Sequence, residues 1–250
     1  MGLAVRGNPT RVPVATGAQL AAYSGFNAGS YFEQPYYNTN LDFWENDFCF
    51  MGWTKADNAD RPIFHRTTPD GAGGILIRNA SGLFEVFANN NTGYVVFAAI
   101  PAPTDTWMHF AFLRENGVGK IYINGKLEFA APLTKNLDFP DAILQVGRRA
   151  DNAARAKELA LLRVGATAPN AAQMAKIYRD EWPMFQPNAQ VSLHGTYKNV
   201  NALTRDKDTG LLHVATPVSR SIFAGLVRIE SKTASLGSKI AAHDGMILED

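Results

Sequence analysis

The stretch WMHFAFLRENGVGKIYINGKLEF, residues 107–129, decides the fold. Residues 107–113 and 120–129 are alternating apolar runs, and the polar segment 114–119 supplies a turn between them. Asn124-Gly125 predicts a second, tighter reversal, because an Asn-Gly pair takes the positive φ angles of a two-residue hairpin turn. Residues 120–123 then pair with 126–129, and three consecutive strands meander antiparallel.

Working outward, short strand candidates recur at 31–34, 48–54, 62–66, 74–78, 83–88 and 94–100. Turns rich in glycine, asparagine and aspartate separate them, which is the rhythm of an antiparallel sandwich. In 48–54, Phe48 and Phe50 face one way while Cys49, Met51 and Trp53 face the other, so both faces are apolar and the strand is central. Cys49 is the only cysteine, which excludes an internal disulfide and makes it a small buried hydrophobe. Near the other end, Asn170 and Gln173 have capping-box spacing, and Met174, Ile177, Tyr178 and Trp182 form the apolar stripe of a helix closed by Pro183. Residues 152–163, rich in alanine, leucine, lysine and glutamate, have helical propensity.

Trp-x-His-x-Ala at 107–111 followed by Lys-Ile-Tyr-Ile-Asn-Gly-Lys at 120–126 resembles the central hairpin of concanavalin A-like lectin/glucanase domains of the laminin-G type. Residues 29–35, 48–55 and 144–147 resemble further strands in the family's order. The resemblance implies an all-β fold: an antiparallel concanavalin A-like jelly-roll sandwich with one short C-terminal helix, followed by a small β-rich C-terminal module. It also places a loop at 150–156 and a strand at 158–164, against the helical propensity there. Three segments are expected: an extended arm over 1–20, the sandwich over 21–186, and an oligomerisation or attachment module over 187–250. Strand candidates in the last segment are 190–194, 200–205, 211–216 and 222–229, with a turn at 206–210. About 60 residues cannot close a propeller of four or more blades, so residues 187–250 are expected to pack on the first domain or on copies of themselves.

Composition narrows the function. A net charge of +1, from 24 basic and 23 acidic residues, gives no bulk field for nucleic acid or an anionic membrane. The longest apolar run, 94–100, is far shorter than the ~20 residues of a membrane span. Residues 1–10 lack the apolar core of a signal peptide. Arg148, Arg149, Arg155 and Lys157 form a basic cluster without interleaved aromatics, expected to be a solvated face.

Related glycosidases carry Glu-x-Asp-x-x-Glu along one strand, because retaining hydrolysis needs two carboxyl groups about 5 Å apart. Glu45-Asn46-Asp47 approaches that pattern but meets Phe50 where the last glutamate should stand, and Glu85 and Glu128 are isolated, so no catalytic residues are expected. His109 is expected to bond a neighbouring strand, and the scattered histidines imply no zinc site. No cofactor is expected; calcium stays open at Asp57, Asn58 and Asp60 or at Asp206 and Asp208, each more simply a turn. The Asn79 and Asn90 sequons carry little weight.

Sugar binding uses exposed aromatic faces beside amide and carboxylate groups. Trp53 and Trp107 fit core positions. The carbohydrate-binding candidates are Tyr36, Tyr37 and Trp44, beside Asn38, Asn40 and Asp42, with a second surface at Asn90, Asn91 and Tyr94; an ordinary polar turn with half-buried tyrosines is the bland alternative. The whole chain is similar to virion-attached proteins of tailed phages such as tail fibres. That similarity implies a non-catalytic virion surface protein, made in the host cytoplasm and assembled as a homo-oligomer, a trimer. Its partners would be a host cell-surface glycan and other virion proteins. A capsid decoration or tail connector protein and a polysaccharide-degrading glycoside hydrolase are the alternatives.

Overall fold

Two seven-stranded antiparallel sheets form the sandwich. One runs β1 (Ala4–Arg6), β4 (Tyr31–Gln34), β13 (Ile143–Val146), β6 (Arg61–Thr67), β7 (Gly74–Ala80), β8 (Leu83–Asn89) and β9 (Val96–Pro101). The other runs β12 (Lys126–Pro132), β11 (Val118–Ile123), β10 (Trp107–Glu115), β5 (Phe48–Lys55), β14 (Glu158–Gly165), β3 (Ala21–Ser24) and β2 (Thr10–Pro13). The computed structural model describes residues 3–34, 41–68, 73–89, 96–139, 141–149, 154–190, 199–233, 240–243 and 246–249. Strands β1 and β2 of the N-terminal arm sit at the outer ends of different sheets.

The meander β10–β11–β12 is present, with a tighter first turn than residues 114–119 would make. Arg114 pairs with Gly119 and Glu115 with Val118, leaving Asn116-Gly117 to reverse the chain at φ +51° and +75°. Asn124-Gly125 does the same at +50° and +76°. Both pairs have the positive φ that a two-residue hairpin turn requires.

Strand β5 lies between β10 and β14 and is apolar on both faces, as its alternation predicts. Inward, Phe50 meets Phe64 edge-on at 5.3 Å, and Phe110 of the same sheet lies 5.4 Å from Phe84 across the core. Outward, Cys49 and Met51 cluster with Ala111, Leu113, Tyr122 and Met174 of the helix α1 (Ala171–Glu181). Asn170 and Gln173 cap that helix reciprocally, each side chain accepting from the other's backbone N–H at 3.0 and 2.8 Å. Tyr178 stacks on Trp53 at 5.7 Å. Gly125 is needed twice: its φ is left-handed, and a Cβ there would lie 2.8 Å from the Tyr178 Cβ. Burial pushes the Cys49 thiol up to about 12, the behaviour of an inert core group.

Residues 158–165 are strand, not helix. Pairing of Glu158 with Lys55 and of Val164 with Phe50 satisfies the backbone along β5, which outweighs local propensity. The register breaks between Ala160 and Arg163, where Leu161 takes φ +49°.

The chain divides into two compact units, Met1–Val12 with Ala22–Asp180 and Pro13–Ala21 with Glu181–Asp250. The second holds a four-stranded antiparallel sheet, β15 (Ala202–Arg205), β16 (Leu212–Thr216), β17 (Ser219–Ala224) and β18 (Val227–Thr233), and a hairpin, β19 (Ile240–His243) with β20 (Met246–Glu249). Within it, Gln19 N–H donates to Ala189 and Asn188 N–H to Thr16, both at 2.8 Å. The single strand expected over 222–229 is two strands, because Gly225-Leu226, with Gly225 at φ +59°, turns the chain back. Of the strand expected at 190–194, residues 191–194 lie outside the described residues. No helix among the described residues is long and apolar enough to cross a membrane.

Candidate functional site: the rim loop around Trp44

Residues 41–43 turn into the core and residues 44–46 out to the surface. Leu41 and Phe43 are buried, with the Phe43 ring 4.9 Å from Phe48 and 5.7 Å from Phe50, while Trp44 stands 55% exposed. The Trp44 backbone takes φ +48°, a left-handed conformation that costs a bulky L-residue roughly 1–2 kcal/mol. Something must hold it there.

Arg114 does so. It is wholly buried, on the inward face of β10 where alternation calls for an apolar residue. Its Nη2 donates to the carbonyls of Trp44 at 2.5 Å and Phe43 at 3.3 Å, its Nε to Asn46 at 2.7 Å, and its Nη1 to Lys135 at 2.8 Å. The guanidinium also lies 5.1 Å from the centre of the Phe48 ring. Burial lowers its pKa, while Asp47 and Glu45 oppose the shift. Leu137 N–H donates to the same Trp44 carbonyl at 2.8 Å, so the 135–138 turn lies against the loop. Asn116 N–H donates to Asp47 Oδ1 at 2.8 Å and fixes its far end.

Arg66 of β6, 1% exposed, anchors the near end. It pairs with Asp42, donates to the Phe139 carbonyl at 2.8 Å, and carries a pKa lowered by burial against the pull of Asp42. Sequence reasoning passed over both arginines. The available signal was parity, since Arg66 and Arg114 share the inward face with Phe64 and with Phe110 and Phe112.

Among the sequence-derived candidates, Trp44 is therefore exposed on a braced loop, with Glu45 and Asn46 exposed next to it in the chain and Asn136 and Asp138 exposed on either side of Leu137, whose N–H bonds the Trp44 carbonyl. Tyr36 and Tyr37, and Asn90, Asn91 and Tyr94 of the second surface, lie outside the described residues. Trp53 is buried and Trp107 half-buried.

The other polar residues weighed for chemistry have structural partners. Glu85 pairs with Arg78 at 2.7 Å and Glu128 with Lys126 at 3.2 Å. Asp57 meets Arg61 at 2.6 Å, which holds its carboxyl below the usual carboxylate range, and accepts from Ala59 N–H at 3.0 Å. Asp60 meets Arg78 at 2.9 Å. Asp206 Oδ1 accepts from Asp208 N–H at 2.9 Å, an aspartate turn. These oxygen clusters are occupied by guanidinium groups and turn N–H donors, and among the described residues no group of three or more His, Cys, Asp or Glu could hold a metal ion.

His109 departs from expectation. Neither ring nitrogen has a hydrogen-bond partner; it is the backbone N–H of His109 that donates, to Asn124 Oδ1 at 3.0 Å. The ring packs against both Trp53 and Tyr178, and burial, with a smaller contribution from Arg163, lowers its pKa to about 4. The basic cluster is partly exposed and makes local contacts: Arg148 donates to Ala28 at 2.8 Å and covers the Tyr31 ring at 4.4 Å, Arg149 reaches Asp60 at 3.7 Å, and Lys157 meets Asp105 at 2.5 Å. Asn79 is buried in β7.

The family model of the concanavalin A-like lectin/glucanases superfamily matches residues 26–163, more than half of the chain. The chain belongs to that superfamily. No curated protein sequence matches it. Among solved structures, this concanavalin A-like protein is similar to the binding domain of Paraclostridial Mosquitocidal Protein 1, at 11% identity over 99% of this chain and 70% of the other, with a TM-score of 0.57. It is similar to domain 4 of AbnA, an extracellular arabinanase of Geobacillus stearothermophilus solved with arabinotriose, at 18% identity over 69% and 82%, TM-score 0.52. A third is the receptor binding domain of botulinum neurotoxin C/D mosaic serotype, at 11% over 86% and 57%, TM-score 0.57. Against another solved structure, the HCR/D W1238A mutant, the chain spans about half, 47%, of the matched chain. At these identities the likeness is one of fold.

Proposed function

We propose that this concanavalin A-like protein is a non-catalytic glycan-adhesion module, with Trp44 as the central contact and Tyr36 and Tyr37 as further contact residues. One observation carries the reading: a tryptophan stands exposed at a left-handed φ on a loop whose backbone carbonyls a buried arginine binds. An indole fixed in place can stack on a pyranose ring without losing side-chain freedom on binding, and neighbouring amides and carboxylates can grip hydroxyls. Asn90, Asn91 and Tyr94 are a second contact surface. Solved relatives include a domain crystallised with arabinotriose and a receptor binding domain, which supports a binding role for the shared fold.

On the resemblance to tail fibres, the module is displayed on a tailed-phage particle as a homotrimer, with residues 187–250 serving assembly or attachment to other virion proteins. A buried, unpaired Cys49 suits folding in a reducing cytoplasm before release. The test is adsorption of the native oligomer, its mass measured first, to host cells and to their purified polysaccharide. Wild type adsorbs and the triple variant Tyr36→Ala/Tyr37→Ala/Trp44→Ala does not. Absence of binding by the intact oligomer rejects adhesion.

A further inference from the structure

We infer that Arg114 is a positioning residue for Trp44, setting the affinity of the rim without touching the ligand. The inference rests on the reading of Trp44 as the contact residue, but its physical content is independent of any glycan.

Arg114 has no solvent-exposed surface, so it cannot pair with a bound ligand. Its guanidinium instead reaches four backbone carbonyls, three of them, Phe43, Trp44 and Asn46, within the loop that carries the indole. The fourth, Lys135, belongs to the turn whose Leu137 N–H also donates to Trp44. A planar fork with donors in fixed directions can satisfy carbonyls converging from two loops at once; an ammonium cannot reproduce that geometry. Without the fork, the Leu137 N–H is the one remaining donor named on the Trp44 carbonyl against its left-handed φ, and the loop relaxes to conformations that present the indole differently. Binding then weakens by the fraction of molecules that keep the competent conformation.

The experiment is fluorine NMR of protein labelled with 5-fluorotryptophan, in which the Trp44 signal is assigned by Trp44→Phe. In Arg114→Lys, the Trp44 signal moves and broadens while those of Trp53, Trp107 and Trp182 keep their positions, and affinity for host polysaccharide falls about tenfold. A merely structural role would move all four signals together. An unmoved Trp44 signal in the folded variant overturns the inference. If Arg114→Lys does not fold, the wild-type protein decides. Nitrogen-15 spectra should show resolved, slowly exchanging Arg114 Nη protons, whereas one averaged, rapidly exchanging signal overturns the inference. Failure of polysaccharide binding in wild type, with the Arg114 and Trp44 signals behaving as stated, overturns the proposed function and leaves the positioning role standing.

Discussion

Lowering the pH should weaken this fold through the His109 imidazole. His109 is wholly buried, its ring 5.3 Å from that of Trp53 and 6.2 Å from that of Tyr178, and neither nitrogen has a partner to receive a proton's charge. Its pKa falls from the ordinary 6.5 to about 4. Between those values the unfolded chain binds a proton that the folded chain refuses, so stability is full above pH 6.5, declines as pH drops, and loses nothing more from this group below about 4. At 1.36 kcal/mol per pKa unit the full loss is about 3 kcal/mol, most of it reached by pH 4.5. Urea denaturation of wild type and His109→Phe at intervals from pH 7.5 to 4.5 isolates the effect. Carboxylates with depressed pKa values, such as Asp57 and Glu33, act mainly at lower pH and are common to both proteins. The wild-type free energy should fall relative to the variant by about 2–3 kcal/mol across that range. Parallel profiles would refute the reasoning.

Asp42→Ala leaves the buried Arg66 guanidinium without its counter-charge and should cost roughly 3–5 kcal/mol, read by urea denaturation at pH 7. Gly125→Ala drives a methyl group into Tyr178 of α1 and forces alanine into a left-handed turn, lowering stability by about 1–3 kcal/mol in the same assay. Met174→Ala removes the fully buried side chain by which α1 is seated on Cys49, Met51 and Leu113, and should cost about 2–5 kcal/mol. It should also raise the reaction rate of Cys49 with a thiol reagent, measured by the time course of labelling under native conditions.

Much of the fold was legible because its strongest signals are local. Asn124-Gly125 specifies a turn by backbone sterics alone, the two-faced alternation of 48–54 specifies a central strand, and the Asn170/Gln173 pair specifies a helix start. Residues 158–165 are the opposite case: their composition favours helix, and only the neighbouring β5 makes them a strand. Gly225 was hidden inside an apolar run, where its turn looks like the middle of one strand. The site was half legible. An aromatic, amide-rich loop can be picked out by composition, but the two arginines that brace it come from β6 and β10, 22 and 70 residues further along the chain from Trp44. No local pattern could bring the Arg114 guanidinium to its carbonyls or the Arg66 guanidinium to Asp42, although their inward parity marked each as out of place. His109 misled for a related reason, since sequence supplies a histidine on a hairpin without showing that its surroundings hold no acceptor.

The central claim is that Trp44 is where this superfamily member meets its ligand. Titrating polysaccharide from the host surface into 5-fluorotryptophan-labelled wild-type protein should shift the Trp44 signal alone, saturably, and Trp44→Ala should lose the binding while unfolding within about 0.5 kcal/mol of wild type. Saturable binding that leaves the Trp44 signal in place, or that Trp44→Ala retains at full affinity, would contradict it.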